Sequence, residues 1–267
     1  MRADVLLIQK GFAPSRQKAQ ELIKSGNAYA NGKIVAKPSQ ELAEDSEIIC
    51  EGRIEFVGRG GYKLKAALDA FQIDVTGLTA ADIGASTGGF CDCMLQEGIK
   101  KIYAVDVGHN QLAPSIGSDQ RIVSLEGVNA KELDVKLFNG KVDFLTADLS
   151  FISVTILFDK FREVLKDDAG AVILIKPQFE AGKSHIGKNG IVKDPKVHLS
   201  VLKNAVNRAQ KSGFSVCGLT YSPITGGDGN IEFLLYLRVM GAELTGIDRT
   251  IERVVEEAHN KGKDDVT

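Results

Sequence analysis

No apolar run in these 267 residues approaches the roughly 20 needed to span a bilayer. The amino terminus carries neither the apolar stretch nor the small-residue cleavage site of a signal peptide, so a cytoplasmic chain without a membrane partner is expected. A pore former would need a spanning segment or a basic amphipathic helix, and neither is legible. Cysteine is scarce: of Cys50, Cys91, Cys93 and Cys217 only Cys91 and Cys93 are close, with no second pair and no histidine at metal-ligand spacing. Reduced, mostly buried thiols are the expectation. His109, His185, His198 and His259 form no HExxH or other paired motif, and no metal is expected.

Charge is present but unevenly spread. The net charge is -2, yet residues 1 to 40 hold seven basic side chains (Arg2, Lys10, Arg16, Lys18, Lys24, Lys33, Lys37) against Asp4 and Glu21. Such asymmetry points to an anionic partner held by a small basic end; a merely solvated surface is the alternative. With 267 residues and 43% hydrophobic content, a small domain over 1–58 and a large one over 59–267 are expected.

The leading segment predicts two short helices. The first contains Val5, Leu6 and Leu7 and closes at Gly11; the second is capped by Ser15 and sets Ala19, Leu22 and Ile23 on one face, with Arg16, Lys18 and Lys24 toward solvent. Asn31-Gly32 between two short apolar runs predicts a tight hairpin. After a hinge at Val57 to Gly61, a helix from Tyr62 to Phe71 carries Leu64, Ala67, Leu68 and Phe71 on one stripe. From Ala80 onward, strands near 80–84, 101–106, 121–125, 142–147 and 170–175 alternate with helical stretches, the pattern of a doubly wound parallel α/β sheet. The runs 214–221 and 231–239 are joined too tightly for a crossover helix and should pair antiparallel. The charged tail after Thr250 reads as a fraying surface helix.

The candidate chemistry gathers where strands end. The loop Gly84-Ala85-Ser86-Thr87-Gly88-Gly89 lets backbone approach a ligand, and Asp106 ends the next strand where a ribose-binding acid is expected. Ser86 stands where a dinucleotide fold has its second glycine, which favours S-adenosylmethionine over NAD; simple strand-to-helix packing is the bland reading. Asp148 follows the fourth strand, unless Ser150 draws it into an ordinary cap. Lys176 ends the run Ile173-Leu174-Ile175, where an ammonium is costly unless paired, neutral or snorkelling. Glu232 interrupts the last strand, unless it sits on a solvated face. A lysine crowded by a second lysine, Lys63, and aligned by carboxylates suits base catalysis on a hydroxyl, since a nearby cation and burial both favour a neutral amine.

Gly60-Gly-Tyr-Lys63-Leu64, Asp82-Ile-Gly-Ala-Ser-Thr-Gly-Gly-Phe90, Ala147-Asp148-Leu-Ser-Phe151, Ile175-Lys176-Pro-Gln-Phe-Glu180 and Asn230-Ile-Glu232, in that order, resemble the TlyA (hemolysin A) family of FtsJ-like rRNA 2'-O-methyltransferases. Arg2-x-Asp4, Ser15-Arg16, Ala19, Ile23-x-x-Gly26 and Asn31-Gly32-Lys33 resemble the S4 RNA-binding domain, with Ala3 departing from the usual leucine. The resemblance runs from Arg2 to about Arg249. It implies a Rossmann-like, seven-stranded methyltransferase sheet with an antiparallel last strand behind an S4 domain. It also implies methyl transfer from S-adenosylmethionine to a ribose 2'-hydroxyl, of cytidine, in ribosomal RNA or ribosomal subunits, with no obligatory protein partner. Carried over residue by residue, the catalytic set is Lys63, Asp148, Lys176 and Glu232, with Lys176 as base and the carboxylates orienting the lysines. Cofactor contacts are Asp82, Gly84, Ala85, Ser86, Gly88, Gly89, Phe90, Asp106 and Asn129. RNA contacts are Arg2, Ser15, Arg16, Lys18, Lys24, Asn31, Lys33 and Arg59. The stretch Glu180 to Lys196, with Lys183, Lys188, Lys193 and Lys196, is expected to close over RNA or to be an ordinary surface loop. A cytolysin, a non-catalytic ribosome-assembly factor and an NAD dehydrogenase are the competing classes; Ser86 and the lysines oppose the last.

Overall fold

The computed structural model describes residues 1–13, 15–24, 26–50 and 56–264. The chain divides into two compact units, Met1–Glu55 and Phe56–Thr267.

In the first unit, α1 (Ala3–Gln9) and α2 (Arg16–Lys24) accompany a small antiparallel sheet of β1 (Ala28–Ala30), β2 (Lys33–Ile34) and β3 (Ile48–Cys50), ordered β2-β1-β3. Leu6, Leu7, Ala19, Leu22, Ile23, Ala28, Val35 and Ile48 form its core. Ala3 is fully buried there, so the residue in the leucine position packs. The hairpin forms as the Asn-Gly pair predicts: Asn31 (φ 51) and Gly32 (φ 74) both take left-handed backbone, and Ala30 pairs with Lys33. The acidic stretch after Glu41 ends in residues 51–55, which lie outside the described ones.

The second unit opens with α3 (Gly60–Phe71), then β4 (Thr79–Ile83), α4 (Gly89–Gln96), β5 (Lys101–Asp106), α5 (Pro114–Gly117), β6 (Ile122–Glu126) and β7 (Val142–Ala147). It continues through α6 (Phe158–Val164), β8 (Leu165–Ile175), α7 (Pro177–Glu180), α8 (Pro195–Lys211), β9 (Ser215–Tyr221), β10 (Phe233–Arg238) and α9 (Ile247–Asp264). These strands form one sheet, β6-β5-β4-β7-β8-β10-β9, parallel except for β10, which runs antiparallel to both β8 and β9. Along β8 every residue from Ala169 to Ile175 is buried, because both faces of the sheet are covered there. Phe144, Val172 and Leu234 face a core with Leu64, Leu68, Phe90 and Met94. Their neighbours Leu145, Ile173 and Leu235 face another with Phe158, Phe161 and Val206.

Two expectations need correction. Strand β8 begins at Leu165, five residues early, because Leu165 pairs with Val142 across a register shift. The tail is no fraying surface helix: Ile251, Val254, Val255 and Ala258 recur at helical spacing and are buried in the larger core, so α9 is amphipathic with its apolar face covered. No helix of the described residues is long and apolar enough to cross a membrane.

Candidate active site

The parallel strands β4, β5, β7 and β8 end at one edge of the sheet, and β10, being antiparallel, begins there. Asp148 follows β7 directly, Lys176 follows β8, and Glu232 precedes β10. Lys63 lies in the first turn of α3. Topology alone therefore gathers four residues scattered over 170 positions of sequence at the edge where doubly wound sheets bind ligands.

Their side chains form an alternating line of charges. Glu232 Oε2 lies 2.6 Å from Lys63 Nζ, Lys63 Nζ 3.8 Å from Asp148 Oδ2, and Asp148 Oδ1 2.5 Å from Lys176 Nζ. Lys176 Nζ also donates to Ser150 Oγ at 3.0 Å. Lys63, Lys176 and Glu232 are buried, while Asp148 is partly open. Two ammonium and two carboxylate groups make a neutral cluster, the condition under which charges tolerate burial. Glu232 is thus not on a solvated face, and Ser150 serves Lys176 rather than capping Asp148. The lysines do not crowd one another directly, because the Asp148 carboxylate stands between them.

Three adjoining cavities meet at this line. One of 430 Å³ is lined by Gly84, Ser86, Asp106, Gln111, Asn129 and Asp148 among others. A second, of 230 Å³, shares Gly84, Ser86, Asp148 and Ser150 with it and adds Ala85, Gly89, Phe90 and Lys176. The third, of 300 Å³, lies on the other side of Ser150 and Lys176, bounded by Phe151, Phe179, Ile186 and Glu232. A donor held in the first two and an acceptor held in the third would meet at Ser150 and Lys176, which line both the second and the third.

The loop after β4 is shaped for close approach. Gly84 has φ +84, and a Cβ there would lie 2.6 Å from the Asp148 carbonyl oxygen. Ser86 is itself left-handed (φ 47), and its backbone N–H donates to Asp106 Oδ2 at 2.8 Å. Asp106 also accepts from Gly108 N at 2.7 Å and Gln111 Nε2 at 3.2 Å, which fixes its carboxylate on the cavity wall. Asn129 lines the cavity while its Oδ1 caps a short turn through Lys131 N.

Two expected cofactor contacts fall elsewhere. Asp82 is fully buried beneath the loop, accepting from Thr146 Oγ1 at 2.8 Å and Cys91 Sγ at 3.1 Å, and burial pushes its carboxyl up to about 6. Gly88 lines neither of the first two cavities; at φ 90 it starts α4 against Leu112 and Ile116.

The expected RNA contacts also divide. Arg2 and Arg16 converge on Asp4, and Lys24 and Lys33 are exposed. Ser15 Oγ caps α2 through Lys18 N, and Asn31 Oδ1 accepts from Glu47 N, so both shape local backbone. Lys18 is only partly exposed and pairs with Glu21 at 2.8 Å rather than pointing freely to solvent. Arg59 Nη2 donates to the Thr225 carbonyl at 2.6 Å. Within 180–196, the side chains of Lys183 and Lys188 lie outside the described ones; Asn230 ties this loop to the start of β10, accepting from Val192 N and donating to the Gly190 carbonyl, each at 3.0 Å.

The sequence pointed to no role for Phe151, Phe179 or Gln111, and for Ser150 only to a cap on Asp148. Phe151 has φ 64 and is 93% exposed, its ring 5.3 Å from that of Phe179. An apolar side chain directly after Asp148-Leu-Ser, in a loop, is the one signal that could have found it. Glu180 holds this segment, accepting from Ser153 Oγ at 2.5 Å and Val154 N at 2.7 Å.

The FtsJ-like methyltransferase family matches residues 56–239, and the S4 domain matches residues 1–48. The 16S/23S rRNA (cytidine-2'-O)-methyltransferase TlyA of Mycobacterium tuberculosis is 37% identical, over 96% of this chain and 97% of its own. Hemolysin A of Brachyspira hyodysenteriae is 40% identical, over 88% and 99%. A solved structure from Streptococcus thermophilus, described provisionally as a hemolysin, superposes with a TM-score of 0.79 at 39% identity and covers 99% of this chain and 98% of that one.

Proposed function

The chain belongs to the FtsJ-like methyltransferase family, with an S4 domain ahead of the matched region, and we propose that it is an S-adenosylmethionine-dependent rRNA methyltransferase acting on a ribose 2'-hydroxyl of cytidine. The observation that carries this reading is the line Glu232–Lys63–Asp148–Lys176, of which Asp148 and Lys176 line the second cavity and Lys176 and Glu232 the third. The rRNA and cytidine specificity are those in the name of the Mycobacterium tuberculosis relative. We assign residues 1–58 to holding ribosomal RNA and 59–267 to modifying it, in the cytoplasm where ribosomes are made.

The cofactor, when bound, supplies a methyl group on a positively charged sulfur. Gly84, Ser86, Asp106 and Asn129 line the cavity that would hold it; 430 Å³ is nucleoside-sized space, and the missing Cβ at Gly84 is what keeps Asp148 close. Asp148 presents a partly exposed carboxylate between that cavity and Lys176. Lys176 Nζ lines the third cavity, where, once it has given its own proton to water, its amine would take up the proton a hydroxyl sheds as its oxygen gains a new bond. Lys63 and Glu232 hold Asp148 in place from the far side. Phe151 and Phe179 offer flat apolar surface at the mouth of the acceptor cavity, of the kind on which an unstacked base rests.

A methylation assay tests the whole reading: tritiated S-adenosylmethionine, ribosomal subunits from cells lacking this protein, and wild type against Lys176→Ala. Label in an alkali-resistant dinucleotide is expected for wild type, with the rate reduced about 10²–10⁴-fold in the variant. Wild-type protein that binds rRNA yet labels nothing would favour an assembly factor. Labelling that survives intact in Lys176→Ala would remove Lys176 from the reaction. A cytolytic reading has no comparable observation behind it, since the amphipathic face of α9 is already buried.

A further inference from the structure

We infer that Asp4 is a positioning residue for RNA contact: a buried carboxylate that sets the guanidinium groups of Arg2 and Arg16 side by side as a clamp for backbone phosphate. The inference rests on the reading that the leading unit grips ribosomal RNA and names how it would do so.

Asp4 lies in the first turn of α1 and is entirely buried. Its Oδ1 accepts from Arg2 Nε at 3.0 Å, and its Oδ2 accepts from Arg2 Nη2 at 2.9 Å, Arg16 Nε at 2.9 Å and Gln20 Nε2 at 3.0 Å. Arg2 immediately precedes α1 and Arg16 opens α2, so the carboxylate joins the starts of two helices. The Arg2 and Arg16 hydrogen bonds hold its carboxyl far below the usual carboxylate range, against the opposing effect of burial.

The donors left over matter more than those used. Arg16 spends only Nε on Asp4, so both of its terminal nitrogens have no acceptor among the described residues; Arg2 keeps Nη1. Both side chains reach solvent, Arg16 at 57% and Arg2 at 39% exposure. A planar guanidinium fixed at its Nε edge presents the opposite edge in the fork geometry that suits a phosphate. The cluster of two guanidiniums and one carboxylate still carries a net positive charge. A buried carboxylate is a poor choice if holding two helices together were the only task, because apolar packing does that without desolvating a charge.

The proposal makes a prediction opposite in sign to simple electrostatics. Asp4→Asn deletes a negative charge from a basic region, which by Coulomb attraction alone tightens RNA binding. Loss of positioning loosens it. With in-vitro transcribed 16S and 23S rRNA as probes, Asp4→Asn is expected to bind about tenfold more weakly than wild type, at an unchanged circular dichroism spectrum. Arg16→Lys keeps the charge at an exposed site but cannot hold one edge while offering another; it should weaken binding similarly, and the double variant should be little worse than either single one. A folded Asp4→Asn protein that binds as tightly as wild type or tighter overturns the clamp. If Asp4→Asn does not fold, Arg16→Lys decides alone, and wild-type affinity in that variant overturns the clamp as well. Wild-type protein that binds neither transcript nor intact subunits sinks the rRNA reading itself, a result distinct from any difference among variants.

Discussion

Lys63 and Lys176 carry the same charge at the same sheet edge, but their partners give them different liabilities. Lys176 faces a partly open Asp148, which water can solvate when the lysine is removed. Lys63 faces Glu232, whose side chain is 3% exposed and has no comparable access to solvent. Removing Lys63 leaves a carboxylate buried without compensation. Lys63→Met is therefore expected to cost about 3–5 kcal/mol of stability, and Lys176→Met much less, although both should abolish most methyl transfer. Urea denaturation of the two variants checks this, and equal destabilisation would mean that Glu232 is better solvated than its burial indicates. A further Glu232→Gln change in the Lys63→Met background should restore most of the lost stability without restoring turnover, because it removes the stranded charge and not the missing ammonium.

At the scale of elements, the loop between β4 and α4 decides whether the cofactor cavity exists. Gly84→Ala would demand a Cβ 2.6 Å from the Asp148 carbonyl at a left-handed φ of +84. Titration calorimetry should show cofactor affinity reduced more than tenfold while rRNA affinity is kept; unchanged cofactor affinity would show that the loop can shift without cost. The docking of α9 on α8 makes a second prediction. His198 Nδ1 and His259 Nε2 lie 2.9 Å apart, and burial first, then the His259 charge, depresses His198 to about 4 from 6.5. The depressed value means the unfolded chain binds more protons between those limits. Stability is then complete above about pH 6.5 and falls as pH drops toward 4, by on the order of 1–2 kcal/mol after allowance for partial solvent access. The same descent in a neutral His198→Gln variant would assign it to other groups. Much of this architecture was legible in the chain. Apolar runs separated by helical stretches gave the parallel sheet, Asn31-Gly32 gave a hairpin, and the tight Gly226 to Asn230 connection gave the antiparallel pair. The glycine loop was legible as a whole but not residue by residue: Asp82 is contiguous with it in sequence, yet strand alternation turns its side chain under the loop toward Thr146. The stripe on α9 was hidden by the charges between its apolar positions. The pairings Lys63 with Glu232 and Lys176 with Ser150 were beyond reach, since each joins residues that only sheet order brings together.

For the whole molecule, the central electrostatic fact is that a chain of net charge -2 is expected to bind a polyanion. The average field opposes that, so affinity must come from a local patch, and the excess of five positive charges in residues 1 to 40 is where the sequence puts it. Six of the seven basic side chains, Arg2, Lys10, Arg16, Lys24, Lys33 and Lys37, reach solvent in the folded unit, and the four of them expected to touch RNA are Arg2, Arg16, Lys24 and Lys33. Lys18 is largely spent on Glu21. Four phosphate contacts would release enough counterions to give a slope of about -3 in log affinity against log salt, between the single-strand and duplex limits. Raising salt from about 50 to 200 mM should then weaken rRNA binding by on the order of 50–100-fold. Binding of S-adenosylmethionine involves no such release and should change little over the same range. Filter binding of rRNA at several salt concentrations, for wild type and for Lys24→Gln combined with Lys33→Gln, separates the contributions: each neutralised contact should flatten the slope by about one unit. A wild-type slope near zero, or one the double variant leaves untouched, would place the RNA grip outside the first forty residues and leave their basic surface as solvation alone.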